Sequence, residues 1–341
     1  MTIISYEQST ALNTADRMKA AGQAADHAAS KHVFADYHSR KAKNTVKAQR
    51  FDLAVFAEYL SIAGVMVDAS RLQTDPDAWQ GVTWGLVEGF VKWQLQAGHA
   101  VASLNRRLST VKAYAKLAAK AGAISTQELA LIRTVAGYGQ KEAKRVNEGR
   151  ETTRIGHKKA EHTSLSDEQA KALKTHPDTP QGRRDAVLMC LLLDHGLRAG
   201  EVAALTVNNV DLKKGMLTGF YRPKVDKTQN HKLSADTLRA LRAWFDSGDA
   251  PALGDLLRGS RKGGHLTEAG ISTTCISERV RTLGKALGID NLSAHDCRHY
   301  WATHWADKVS VLRLQEAGGW NSLAMPRRYV ERAEVANEGM V

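Results

Sequence analysis

His295-Asp296-Cys297-Arg298-His299 packs two imidazoles, a thiol and a guanidinium into five residues, with His304 shortly beyond. His295 and His299 are four apart, so on a helix they share a face, a spacing that can chelate a metal. The zinc-protease pattern needs Glu after the first His, and Asp296 stands there, so no metal is expected. Outward from this pentapeptide lie three more pieces with chemical content. Toward the C-terminus, Gly318-Gly319-Trp320 precedes Arg327-Arg328-Tyr329. Toward the N-terminus is a basic turn, Arg222-Pro223-Lys224-Val225-Asp226-Lys227, between β-prone pieces at Met216–Tyr221 and Lys232–Leu233. Before it stands His195-Gly196-Leu197-Arg198-Ala199-Gly200-Glu201-Val202, preceded by the apolar run Ala186–Leu193 that suits a buried helix. No P-loop signature occurs, so no nucleotide cofactor is indicated.

Around these pieces the pattern is mainly helical. Residues 1–31 are Ala-rich and read as a helix or a mobile arm. Residues 32–136 carry amphipathic segments: Phe51, Val55, Phe56 and Tyr59 after a start capped by Asn44 or Thr45, then Trp84, Val87, Val91 and Trp93, then Leu104, Leu108, Val111, Tyr114, Ala115 and Leu117. Basic residues cluster on this half: Arg40, Lys41, Lys43, Lys47, Arg106, Arg107 and Lys112. Residues 137–162 are poor in apolar residues and rich in Lys and Arg, including Lys144 and Arg145, and read as a basic linker. A second domain, 163–341, opens on Ser166-Asp167-Glu168-Gln169, a capping box. It continues through helical patterns near Asp236–Phe245 and Ser272–Leu287 to a helical cluster from His295 onward.

Composition narrows the partner. Of 341 residues, 48 are Lys or Arg and 36 Asp or Glu, a net charge of +12 that favours a polyanion, nucleic acid first. The three cysteines, Cys190, Cys275 and Cys297, form no CxxC, so a disulfide framework or structural zinc is not expected and a reducing cytoplasm fits. No apolar run approaches the roughly 20 residues that span a bilayer, so no membrane role is expected. Cues for the common RNA-binding modules are missing.

Taken in order, the four pieces resemble the catalytic domain of the tyrosine recombinases, the phage integrase family, and the helical half resembles their core-binding domain. The resemblance runs from about Val33 to Glu331. Each motif alone is weak; the ordered Arg, Lys, His-x-x-Arg, Trp and Tyr set is strong. It implies a mainly α protein with a small antiparallel β-sheet, in two domains. The implied activity is site-specific recombination of double-stranded DNA through a 3′-phosphotyrosyl link, without ATP or other cofactor, by a tetramer assembled on DNA. Relaxation of the type IB topoisomerase kind and a catalytically idle DNA-binding scaffold are the alternatives.

The resemblance assigns roles that the chemistry makes intelligible. Two guanidinium forks, Arg198 and Arg298, hold the nonbridging oxygens as charge builds on them. A lone Arg198 would otherwise read as an ion pair with Glu201. Tyr329 is the nucleophile; its phenol, ordinarily near pKa 10, needs help to ionise, and His295 is the assisting base. Arg327 and Arg328 beside Tyr329 argue against its full burial. Lys224 is the acid for the leaving 5′ oxygen, with Lys227 the alternative because hairpin register is open. Trp320 stands where many members have His; its indole donates a hydrogen bond and cannot shuttle a proton.

Overall fold

The structure, a computed structural model, describes residues 14–155 and 162–330. The chain divides into two compact units, Met1–Lys158 and Lys159–Val341.

The first unit is all helical among the described residues: α1 (Thr14–Ser30), α2 (Val33–Ser39), α3 (Lys43–Ile62), α4 (Ala69–Thr74), a 3₁₀ turn (Pro76–Trp79), α5 (Trp84–Gln96), α6 (Val101–Lys120), α7 (Thr126–Thr134) and α8 (Gln140–Glu148). Of the Ala-rich segment, 1–13 lies outside the described residues; the rest forms α1, which buries no side chain. The core joins Leu53, Phe56 and Leu60 of α3 to Trp79, to Val87 and Phe90 of α5, and to Leu104, Leu108, Val111 and Tyr114 of α6. Two expectations about α3 are corrected. Its N-cap is Ala42, two residues before Asn44, and no side chain caps it. Its buried stripe is Leu53, Phe56, Ala57 and Leu60, which leaves Phe51 on the opposite side of the helix, 64% exposed. Trp84, at the first turn of α5, is likewise outward.

The basic segment 137–162 has more structure than its composition suggests. Gly139 N–H is capped by Glu142 at 2.7 Å, opening α8. Arg150 then turns back onto the bundle, donating from Nη1 to the Leu95 carbonyl at 2.8 Å and the His99 carbonyl at 3.1 Å. Residues 156–161, with Lys158 and Lys159, lie outside the described residues.

The second unit runs α9 (Asp167–Leu173), α10 (Pro180–Leu193), α11 (Ala199–Ala203), β1 (Val210–Asp211), β2 (Met216–Arg222), β3 (Lys227–Lys232), α12 (Ala235–Asp246), β4 (Arg258–Ser260), β5 (Leu266–Gly270), α13 (Thr273–Ala286), α14 (Ala294–Ala306), α15 (Val311–Gly318) and α16 (Ala324–Val330). Ser166 and Gln169 form the expected capping box. Strands β1, β2 and β3 make one antiparallel sheet; β4 and β5 make a second antiparallel pair. α10 is the central rod: Val187 through Leu193 are all buried, and the helix packs against α12 and α14. A satellite cluster of Trp301, Ala302, Ala306, Leu314 and Tyr329 ties α14, α15 and α16 together. The segment 331–341 lies outside the described residues.

Candidate active site

The end of α10 sets the first arginine. Gly196 turns the chain at φ +60, where a Cβ would run into the Trp301 ring. Arg198 then caps α11. Its backbone N–H donates to Glu201 Oε2 at 2.9 Å, and its Nη1 pairs with Glu201 Oε1 at 2.6 Å. Its Nη2 donates to the Gly319 carbonyl at 3.0 Å. The second arginine comes from α14, whose start is fixed by reciprocal bonds between Ser293 and Asp296. Arg298 projects inward and is only 2% exposed. It donates to the Gly196 carbonyl at 2.5 Å and to the Gly318 carbonyl. The two guanidinium groups therefore grip adjacent carbonyls of one turn, Gly318-Gly319, whose second glycine is left-handed (φ +58). The Arg298 guanidinium also lies 4.6 Å from the centroid of the Trp320 ring, a cation–π contact.

Burial, and then the neighbouring charge of Arg198, push the Arg298 pKa down to about 9, which still leaves it cationic at neutral pH. Around it stand Arg198, the fully buried Arg222 and one carboxylate, Glu201, which is 3.7 Å from Arg222. Among the described residues the three guanidinium groups share one buried carboxylate, with the exposed Glu316 acting on Arg222 as well, so the site carries net positive charge.

Tyr329 corrects an expectation. It is buried, 7% exposed, because α16 turns Arg327 and Arg328 outward while the phenol ring faces Trp320, 5.9 Å between centroids, and His299, 5.3 Å. His295 and His299 meet Nε2 to Nε2 at 3.0 Å, and His162 stacks on His299 at 4.8 Å. Burial, followed by the charge of Arg298, holds the His295 imidazole below its usual pKa, which favours its neutral form. Lys224 is exposed in the turn Pro223–Asp226 between β2 and β3, and Asp226 adopts φ +51 with its carboxylate accepting from the Tyr221 hydroxyl at 2.7 Å. Lys227 instead begins β3, with its ammonium 3.9 Å from Glu316. The structure thus gathers Arg198, Arg298, His295, Trp320 and Tyr329 in one region, with Lys224 on the adjoining hairpin. Tyr300, the next tyrosine after Arg298, donates to Asp167 at 2.8 Å, and burial together with that carboxylate raises its pKa further, which disfavours ionisation.

Sequence reasoning named Glu201 as an ion-pair partner of Arg198, and quoted Arg222 and His299, but gave none of the three a part in the site. Arg222 had a readable signal: two residues after the apolar Phe220 in a strand, it falls on the inward phase. The basic residues of the first unit divide in two. Arg40, Lys41, Lys43, Lys47, Lys144 and Arg145 are exposed. Arg106 pairs with the buried Asp52 at 2.6 Å, Arg107 donates to Gln94 at 3.1 Å, and Lys112 donates to the Arg133 and Val135 carbonyls.

Among the described residues no helix is long and apolar enough to cross a membrane. The family model described as the phage integrase family matches residues 163–335, about half of the chain. The tyrosine recombinase XerC of Xanthomonas campestris pv. campestris (strain B100) is 27% identical over 288 residues, covering 84% of this chain and 78% of the relative. XerD of Neisseria meningitidis serogroup A is 30% identical over 187 residues, 52% of this chain and 62% of the relative. A lambda integrase dimer bound to a COC′ core site has a similar fold at TM-score 0.58 and 15% identity, covering 91% of this chain and 96% of that one. A Tn1549 transposon integrase bound to transposon right end DNA is similar at TM-score 0.56 and 14% identity, over 89% and 94%.

Proposed function

Since the chain belongs to the phage integrase family, we propose that its uncancelled arginine cluster is the scissile-phosphate site and that Tyr329 is the nucleophile. The protein is a site-specific DNA recombinase, a DNA strand transferase. The observation that carries the site assignment is the convergence of Arg198 and Arg298 on the Gly318-Gly319 turn, directly before Trp320 and one short helix from Tyr329.

In this reading, the nonbridging oxygens sit against Arg198, oriented by Glu201 and the Gly319 carbonyl, and Arg298, whose carbonyl partners orient it without cancelling its charge. The Tyr329 oxygen attacks phosphorus and the bond to the 5′ oxygen breaks. The phenolic proton passes to neutral His295, and Lys224 supplies a proton to the departing 5′ oxygen. The new phosphotyrosyl ester retains the energy of the broken bond, so rejoining by a 5′ hydroxyl needs no ATP. The Trp320 indole helps seat the phosphate and packs Arg298. With Tyr329 buried in the free protein, DNA binding has to expose its oxygen to the phosphate.

Double-stranded DNA is the partner, and the exposed cations Arg40, Lys41, Lys43, Lys47, Lys144 and Arg145 are the proposed phosphate contacts. Arg106, Arg107 and Lys112 serve the bundle instead. Two duplexes need four cutting events, so the working assembly is a tetramer on DNA; a similar fold occurs in a lambda integrase tetramer bound to a Holliday junction. The cytoplasm, on its DNA, is the proposed location. The two units serve as core-binding and catalytic domains.

The test is Tyr329→Phe on a nicked suicide duplex carrying the core site, identified by selection from a random library. The ring is kept, so DNA binding should persist while the covalent adduct and recombination disappear. An adduct formed by Tyr329→Phe would overturn the assignment.

A further inference from the structure

Arg222 is fully buried, at the last position of β2. Its Nη1 donates to the Ala317 carbonyl at 3.0 Å, on the last turn of α15. Its side chain lies against Gly319, where any Cβ would collide with the guanidinium. Its Nη2 is 3.7 Å from Glu201, the carboxylate that also binds Arg198. Nε and Nη2 make no hydrogen bond among the described residues. Sealing a guanidinium in with two donors unmatched costs stability. A Met or Leu would fill the space between β2 and α15 without that cost, so packing alone does not account for an arginine.

The hairpin is tied to the same stretch by a second set of bonds nearer the surface. Gln229 Nε2 on β3 donates to the Glu316 carbonyl at 2.8 Å, and the Asn321 amide donates to the Lys224 carbonyl at 3.4 Å. One clamp thus fastens the turn that carries Lys224 to the turn that carries Trp320 and leads to Tyr329, with Arg222 as its buried pin.

We propose that Arg222 is a positioning residue for strand cleavage: it locks the Lys224 hairpin in register with the Gly318–Trp320 turn, so that the acid and the nucleophile's segment are placed together. It acts through those groups and does not touch DNA. This inference rests on the roles given above to Lys224 and Tyr329.

The two halves of the clamp can be read separately by changing the leaving group. On an ordinary substrate the P–O5′ bond breaks and the alkoxide needs a proton. With a bridging 5′ sulfur the P–S bond breaks and the thiolate leaves unprotonated. Lys224→Ala should therefore be slow on oxygen and near wild type on sulfur. Arg222→Lys keeps the charge and loses the reach, so both halves should shift. We expect DNA binding within about twofold of wild type and cleavage slowed by about 10²-fold on oxygen, the size of effect that a misplacement near 1 Å produces. Sulfur should recover only part of that loss. Gln229→Ala strikes the same clamp from its outer end without disturbing the buried pin. It should show the same partial recovery at smaller amplitude, and it keeps the test available if the Arg222 variant melts early. Oxygen-substrate rates at wild-type level in both variants, or complete recovery of Arg222→Lys on sulfur, would overturn the coupling. Tyr329→Phe and Lys224→Ala run alongside: an adduct from the first, or no sulfur rescue of the second, points to failure of the site assignment. Their expected behaviour beside unimpaired Arg222→Lys and Gln229→Ala sinks the pin alone.

Discussion

The first unit and the second each bury a carboxylate among arginines, and they use it differently. Asp52 accepts from Arg106 and from Thr110 at 2.8 Å, and the Arg106 side chain remains 53% exposed, so water screens the charge it brings. Glu201 faces Arg198 and Arg222, and the other hydrogen bonds that Arg198, Arg222 and Arg298 make end on the carbonyls of Gly319, Ala317, Gly196 and Gly318, while Nε and Nη2 of Arg222 make none among the described residues. A carbonyl orients a guanidinium without cancelling its charge, whereas a carboxylate does both. The first cluster pairs its carboxylate with side chains of its own bundle. The second is built for an anion that arrives from outside.

The largest expected break in this comparison is Arg198→Ala or Arg298→Ala. Losing one such donor typically lowers a rate by about 10²–10³-fold. Single-turnover cleavage should fall by that factor while duplex affinity stays close to wild type. Arg106→Ala should do the reverse, lowering the melting temperature with cleavage per folded molecule unchanged. Equal cleavage loss from Arg106→Ala would erase the distinction.

Asp52→Ala comes next. It leaves Thr110 and Arg106 without their acceptor, and removing one partner of a buried hydrogen bond costs about 1–3 kcal/mol. Urea unfolding should show that loss, with a cleavage rate constant at saturating DNA that does not move. Unchanged stability would mean water replaces the carboxylate without cost.

A pH series sharpens the comparison from a third direction. Behind Arg198, His195 is buried and bonded to Thr237 at 3.0 Å; burial pushes its pKa down to about 4. His231, 5.9 Å away, is pushed to about 3, again by burial first. The unfolded chain binds these protons near pH 6.5 and the native state does not, so native stability should fall as pH drops from about 6.5 toward 4. His195→Gln should flatten part of that slope in urea titrations at pH 7.5 and 5. Parallel slopes for the two proteins would rule out His195 as a source.

The smallest effect belongs to the exposed cations. Lys43→Ala or Lys47→Ala should weaken DNA binding modestly and reduce the salt slope by about one unit each if the lysine meets a phosphate. An unchanged slope removes that residue from the contact set.

Much of the architecture was legible because it depends on local order along the chain. Apolar periodicity marks α5, α6 and α10, the Ser166 box marks the start of α9, and the helical pattern from His295 onward marks α14. Chemistry too was legible where residue type is decisive: among the five residues gathered at the site, only Tyr329 carries a hydroxyl that can attack phosphorus, and only Arg198 and Arg298 carry guanidinium forks. Contacts set by packing between distant segments were not. Phe51 lies outward because Leu53 and Ala57 take the inner stripe, and Arg106 and Lys112 are engaged within the bundle because Asp52 and the end of α7 lie within their reach. Tyr329 is buried despite two flanking arginines because α16 aims its ring at the cluster of α14 and α15. By itself the sequence determined which side chains can do the chemistry and the order of the elements that carry them. Only the tertiary structure decided which charges are cancelled, because cancellation depends on which groups from far apart in the chain come within a few ångströms: Gly319 beside Arg198, Ala317 beside Arg222, Gly196 beside Arg298.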